Sequence, residues 1–93
     1  MTNFNDFLQQ QLQDPAFRQE WQALQPQRAM AQAIIDARQN AGLTQKQLAE
    51  KTGIAQSDIS KLEGGSANPS LRTLQRLAVG MDMHLKIEFL PNP

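Results

Sequence analysis

The stretch Gly42–Gly65, GLTQKQLAEKTGIAQSDISKLEGG, decides how the rest of the chain is read. Thr44 is a good helix cap, and Gln47 stands three residues on, where a capping box needs it. Leu48 and Ala49 then supply a buried face. Gly53 stops that helix, because glycine takes a positive φ without steric cost. A second helix is expected from Ala55 to Leu62, with Ile59 and Leu62 pointing inward and Glu63-Gly64-Gly65 ending it. Two helices joined by so tight a turn cross steeply, so their contact needs a small residue, and Ala49 sits there. The outer face of the second helix is left with Ala55, Gln56, Ser57, Ser60 and Lys61.

Working outward, Met30, Ala33, Ile34, Ala37 and Ala41 form one apolar stripe that Gly42 terminates. Downstream, SANP is turn chemistry, and Ser70 caps a helix whose inner face is Leu71, Leu74, Leu77 and Ala78. Gly80 closes it. At the other end, Phe4, Phe7, Leu8 and Leu12 predict a short amphipathic helix from about Asn3 to Gln13. Asp14-Pro15 restarts the helix, with Asp14 as cap and Pro15 at the first helical position. Phe17, Trp21 and Leu24 predict a second short helix, and Pro26 marks a further boundary and a possible new start.

The C-terminus reads differently. Met83, Leu85, Ile87 and Phe89 alternate strictly with polar residues, the period of a β-strand, which Pro91 stops. The chain offers no second convincing strand. Such a strand pairs with a second copy of itself, pairs with a different protein, or lies as an extended tail. Pairing with a second copy would give a homodimer and present the Gly42–Gly65 helix pair twice. The expected fold is an all-α five-helix bundle with an N-terminal helical extension and one C-terminal β-strand. The expected division is an arm over residues 1–27, a central domain over 28–80, and a dimerising strand and tail over 81–93.

Ninety-three residues suit one small domain. No cysteine is present, so neither a disulfide framework nor a thiolate metal site is available. The start MTNFNDFLQQQ lacks the basic and apolar regions of a signal peptide, and no apolar run approaches a membrane span. A soluble cytoplasmic protein without membrane contact is expected. The 9 basic and 9 acidic residues cancel, yet unevenly. From Arg38 to Arg76 six basic residues face three acidic ones, a surplus of +3. A mildly basic centre is a modest electrostatic footprint for nucleic acid.

The outer-face residues fit that partner. Gln bonds an adenine edge through both amide atoms, Ser reaches base or phosphate, and Lys reaches guanine or phosphate. The N-terminal end of a reading helix points at base edges in the major groove, so Gln56 and Ser57 lead, followed by Ser60 and Lys61. Gln45, at the start of the preceding helix, is placed to lay its amide on a phosphate. Enzymatic chemistry finds no footing. His84 is the lone histidine, the carboxylates show no paired spacing, no phosphate loop is present, and no cofactor or metal site is expected.

LTQKQLAEKTGIAQSDISKLEGG followed by NPSLRTLQRLA resembles the phage-repressor-like, Cro/C1 or xenobiotic-response-element type of helix-turn-helix domain, over Ile35 to Val79. The resemblance implies sequence-specific operator binding, Asn68 as a further backbone contact, and an ion pair between Arg38 and Glu63. Ala55 departs from the polar residue common at the head of the reading helix, which leaves it a thymine methyl to touch. With its flanks, DPAFRQEW before and LKIEF after, the chain looks like antitoxins of the HigA type. That likeness implies repression of the module's own operon and neutralisation of a small basic, RelE/HigB-like mRNA-cleaving toxin. A stand-alone repressor of the Cro/C1 type is the alternative.

The arm makes its own case for a protein partner. Phe4, Phe7, Phe17 and Trp21 fall within the first 21 residues, while Met30 to Val79 holds no aromatic residue. Aromatic anchors of this kind, with Leu8, make binding hot spots, and they mark the candidate toxin-binding surface. Folding back of the arm on its own bundle is the other reading, and the two are compatible.

Overall fold

The computed structural model describes residues 4–93, apart from the Leu24 side chain, and among them there are five α-helices and no strand. These are α1 (Phe4–Leu12), α2 (Pro15–Asn40), α3 (Gln45–Thr52), α4 (Gln56–Glu63) and α5 (Leu71–Gly80). The expected start of α1 at Asn3 lies outside the described residues.

Local chemistry sets most of the boundaries. Asp14 caps α2 by accepting from the Ala16 N–H at 3.0 Å, with Pro15 at the first helical position. Gly42 takes a left-handed φ of 72° just past that helix. Its N–H bonds the Gln39 carbonyl and that of Leu43 bonds the Arg38 carbonyl, so two otherwise orphaned carbonyls are satisfied. The Thr44–Gln47 box is complete: the Gln47 N–H reaches Thr44 Oγ1 at 3.1 Å, and the Thr44 N–H reaches Gln47 Oε1 at 2.9 Å. Gly53 ends α3 at φ 74°, and Ser70 Oγ accepts from the Thr73 N–H to start α5.

Two sequence expectations fail for identifiable reasons. Pro26 does not divide the chain, because α2 runs through it for 26 residues and so crosses the 27/28 boundary drawn above. Proline removes one helical hydrogen bond and crowds the carbonyl four residues back, at a cost of about 3 kcal/mol in a helix interior. Gln22 and Pro26 are both exposed, so water can reach the unpaired carbonyl. Tertiary contacts on either side keep the helix whole: α1 packs on its first half, and Ala31 and Ile34 are buried in the core on its second.

The second correction concerns Met83–Phe89, which forms no β-strand among the described residues. Alternation alone does not make a ladder; a strand needs a partner for its N–H and C=O groups. The segment instead leaves α5 through the Met83 N–H to the Ala78 carbonyl at 2.8 Å. It lines an apolar groove of about 590 Å³ with Met30 and Ile34 of α2 and Leu74 and Leu77 of α5. Phe89 is fully exposed. Leu71, expected on the inner face of α5, is exposed too.

The core joins α2, α3, α4 and α5 through Ile34, Leu48, Ile54, Ile59, Leu62, Leu77 and Met81. Leu48, Ile59 and Leu77 are its fully buried centre. Helix α5 approaches α3 closely at Gly80. A Cβ on Gly80 would stand 2.5 Å from Thr52 Cγ2. Thr52 cannot rotate away freely, since its Oγ1 donates to the Leu48 carbonyl at 2.8 Å and accepts from the Ile54 N–H at 3.2 Å.

In an open helical site, glycine to alanine stabilises by about 0.5–1 kcal/mol. Gly80→Ala should do the reverse here and destabilise by about 1–3 kcal/mol through overpacking. Urea unfolding measures it, and an unchanged or raised midpoint contradicts the packing described.

Candidate nucleic-acid interface

Helix α4 presents two faces. Ile59 and Leu62 are buried, and Gln56, Ser57, Ser60 and Lys61 are exposed on the other side. Ala55, the residue before the helix, is extended, with φ and ψ of −60° and 140°. Ala55 has no side chain to cap with, so no such bond closes the helix start. The N-terminal end that would meet base edges therefore carries its backbone N–H groups and Gln56 together.

Behind this face lies a polar network that ties three helices. Arg38 of α2 bonds Glu63 of α4 through two nitrogens, Nε to Oε2 at 2.7 Å and Nη2 to Oε1 at 3.0 Å. Its remaining Nη1 donates to the Leu43 carbonyl at 3.0 Å. Glu63 Oε1 also accepts from Gln45 Nε2 of α3 at 3.1 Å, and Gln45 Oε1 accepts from Ser60 Oγ at 2.7 Å. The Arg38 and Glu63 side chains are only 14% and 7% exposed, so their charges interact in a partly desolvated setting.

The titration of Glu63 reflects this. Burial pushes its carboxyl up, but the bonds from Arg38 and Gln45 and the Arg38 charge together bring it below its ordinary value of 4.5. Arg38 is raised in turn, chiefly by its bond to Glu63.

The structure changes the setting of two candidate contacts. Gln45 and Ser60 are bonded to each other, so the amide expected on a phosphate is oriented by α4. Asn68 Oδ1 accepts from Gln27 Nε2 of α2 at 2.6 Å. Asn68 and Lys61 share a surface concavity of about 550 Å³ with Ala55, Ser70 and Arg76. The structure thus groups Lys61 and Asn68 at one hollow and joins Gln45 to Ser60, while Gln56 and Ser57 stand at the exposed start of α4.

Arg76 is a residue that sequence reasoning missed. Its Nη2 donates to the Thr52 carbonyl at 2.7 Å, at the C-terminal end of α3. It closes an orphaned carbonyl and braces the turn between α3 and α4 from α5. No local signal marks it, since only the tertiary fold brings α5 beside the glycine-terminated end of α3.

The remaining candidates lie elsewhere. Phe17 and Trp21 stack with centroids 6.3 Å apart, and the Arg28 guanidinium sits 4.0 Å over the Trp21 ring. On α1, Leu8 is half-buried, whereas Phe4 and Phe7 are 71% and 53% exposed. Met83, Leu85, Ile87 and Phe89 belong to the C-terminal segment. Among the described residues no cluster of acidic, histidine or cysteine side chains could hold a metal ion, and no helix is long and apolar enough to cross a membrane.

Comparison with known proteins bears on this geometry. The family described as helix-turn-helix matches residues 34–86. An "Uncharacterized HTH-type transcriptional regulator" of Haemophilus influenzae is 33% identical over 86 residues, covering 92% of this chain and 84% of that protein. "Antitoxin HigA1" of Mycobacterium tuberculosis is 31% identical over 74 residues, 80% of this chain. The match takes in only 50% of that antitoxin's own length. No solved structure matches.

A pH prediction follows from Glu63. Its folded carboxyl titrates below the unfolded one, so its contribution to stability is present above about pH 4.5 and is lost as pH falls through the lower folded value. Glu63→Gln should lower stability at pH 7 by about 2–4 kcal/mol, somewhat less than for a fully buried pair. It should also flatten the acid limb of stability against pH. An acid limb as steep as the parent's would place the titrating group elsewhere.

Proposed function

As this chain belongs to the Cro/C1-type helix-turn-helix family and is a DNA-binding regulator, we propose that it is the antitoxin of a toxin–antitoxin module. It represses its own operon through operator DNA and neutralises a small basic, RelE/HigB-like mRNA-cleaving toxin. The observation that carries the DNA half is the exposed row Gln56, Ser57, Ser60 and Lys61, standing on the fully buried Ile59. In this reading Gln56 and Ser57 meet base edges, Lys61 and Asn68 meet phosphates, and Gln45 does so with its amide steadied by Ser60.

The toxin half draws support from the arm and from the likeness to the HigA1 antitoxin. Residues 1–27 hold Phe4, Phe7, Leu8, Phe17 and Trp21 apart from the reading helix, and Phe4 and Phe7 offer open aromatic surface. Residues 28–80 carry the DNA-reading domain. Residues 81–93 supply a largely exposed apolar tail, Met83, Leu85, Ile87 and Phe89 included, which supports the seating of a second copy. Two copies would place two reading helices about one helical turn apart on the duplex.

A stand-alone repressor is the second reading. It is favoured by the Haemophilus relative, which the chain spans far more completely than it spans the antitoxin. Pull-down of the native protein from its own cells, with mass spectrometry, separates the two. A co-purifying small basic protein encoded by the neighbouring reading frame supports the antitoxin, and its absence favours the repressor.

Two variants test the division of labour. Gln56→Ala should lose about 1–3 kcal/mol of discrimination between the preferred site and its single-base variants. An unchanged preference in a binding-site selection removes Gln56 from base reading. Deleting residues 1–24 should abolish toxin neutralisation while operator binding survives with its base preference unchanged; neutralisation by the truncated chain would move the toxin dock to the tail or the bundle.

A further inference from the structure

The first half of α2 lies outside the helix-turn-helix, yet it reaches the DNA-facing loop. Gln27 Nε2 donates to Asn68 Oδ1 at 2.6 Å, forty-one residues away in sequence. Asn68 belongs to the same hollow as Lys61 of the reading helix. The next residue on α2, Arg28, lines a second cleft, of about 400 Å³, whose opposite wall is Gly64 and Gly65 of the loop that leads from α4 toward Asn68. Helix α2 and the α4–α5 loop therefore form one continuous surface with the outer side of α4.

Arg28 is suited to use that position. Its guanidinium carbon lies over the Trp21 ring, 4.0 Å from the ring centroid. A cation–π contact of this kind holds the group in place and keeps N–H donors that match phosphate oxygens. The contact also limits the freedom of a long side chain, so less entropy is lost when it binds. Glu63 is the acidic residue lining the cleft, and its carboxylate is engaged by Arg38 and Gln45. Arg28 is thus a cation at the edge of the reading surface whose local acid is already neutralised.

We propose that α2 extends the DNA interface beyond the helix-turn-helix, with Arg28 binding a backbone phosphate beside the half-site and Gln27 positioning Asn68 for its neighbour. The proposal rests on the DNA reading of α4 given above. Trp21 acquires a role by it, that of the platform that orients Arg28. Phosphate contacts carry no base information, so this part of the interface adds affinity and register without altering the preferred sequence.

The salt dependence of binding provides the test. The probe is a duplex recovered by the full-length chain from a random library, titrated at several salt concentrations. Neutralising one phosphate contributes about −0.9 to the slope of log K against log salt. Arg28→Ala should make that slope shallower by about 0.9 for each bound protomer, with base preference unchanged. Arg28→Lys keeps the charge and should keep the slope, which distinguishes a lost phosphate contact from disturbed packing. Gln27→Ala should weaken binding uniformly across sequences. A parental slope in Arg28→Ala, with the variant folded by circular dichroism, overturns the proposal and leaves Arg28 to the arm's own partner. Recovery of no duplex by the parent chain overturns this proposal together with the DNA reading beneath it.

Discussion

The pair Arg38–Glu63 is the joint on which the arrangement of α2, α3 and α4 depends. It is held by two short bonds. A charge in this partly buried setting is costly unless it is paired, and each partner here satisfies the other. The consequence is geometric more than energetic. Glu63 sits at the last turn of α4, Arg38 at the last turn of α2, and Gln45 at the first turn of α3. One carboxylate thereby fixes the ends of three helices. Arg76 does a similar service from α5 by binding the Thr52 carbonyl at the other end of α3. Helix α4 is thus tied to α2 and α3 by side-chain bonds, so in the proposed role little ordering of it remains to be done on binding DNA.

The second determinant is the length of α2. Twenty-six residues at 1.5 Å each make a rod of about 39 Å. Its first half carries the Phe17–Trp21 stack and supports α1; its second half carries Ile34 into the core and Arg38 to the joint. Had Pro26 broken the helix, the arm would hang on a hinge. With the helix continuous, the aromatic surface keeps a fixed relation to the α4–α5 loop, which Gln27 touches. The arm and the α4–α5 loop thereby share one continuous helix.

Features governed by neighbouring residues were legible in the sequence. The Asp14, Thr44 and Ser70 caps and the glycines at 42 and 53 each depend on residues within a few positions, and each forms as the local chemistry dictates. The two-faced pattern of α4 was legible for the same reason, since Ile59 and Leu62 mark one face and leave the other to polar residues. Arg38 and Glu63 lie 25 residues apart and could be named only through the family resemblance. What the sequence hid was non-local. Pro26 was overruled by packing on either side of it. The alternating tail had no partner strand within the chain, and Leu71 followed the apolar pattern of α5 without reaching the core. Arg76 gave no local sign of its target. The bond of Gln45 to Ser60 required knowing how α3 lies across α4.

Hydrogen exchange on the full-length chain, alone and with a selected duplex, tests most directly whether DNA is read from this joint. Binding should slow amide exchange at the start of α4, at the start of α3 and in the loop around Asn68, while α1 exchanges as before. Protection confined to α1 and the C-terminal segment, with α4 unchanged, would contradict the placement of the reading surface.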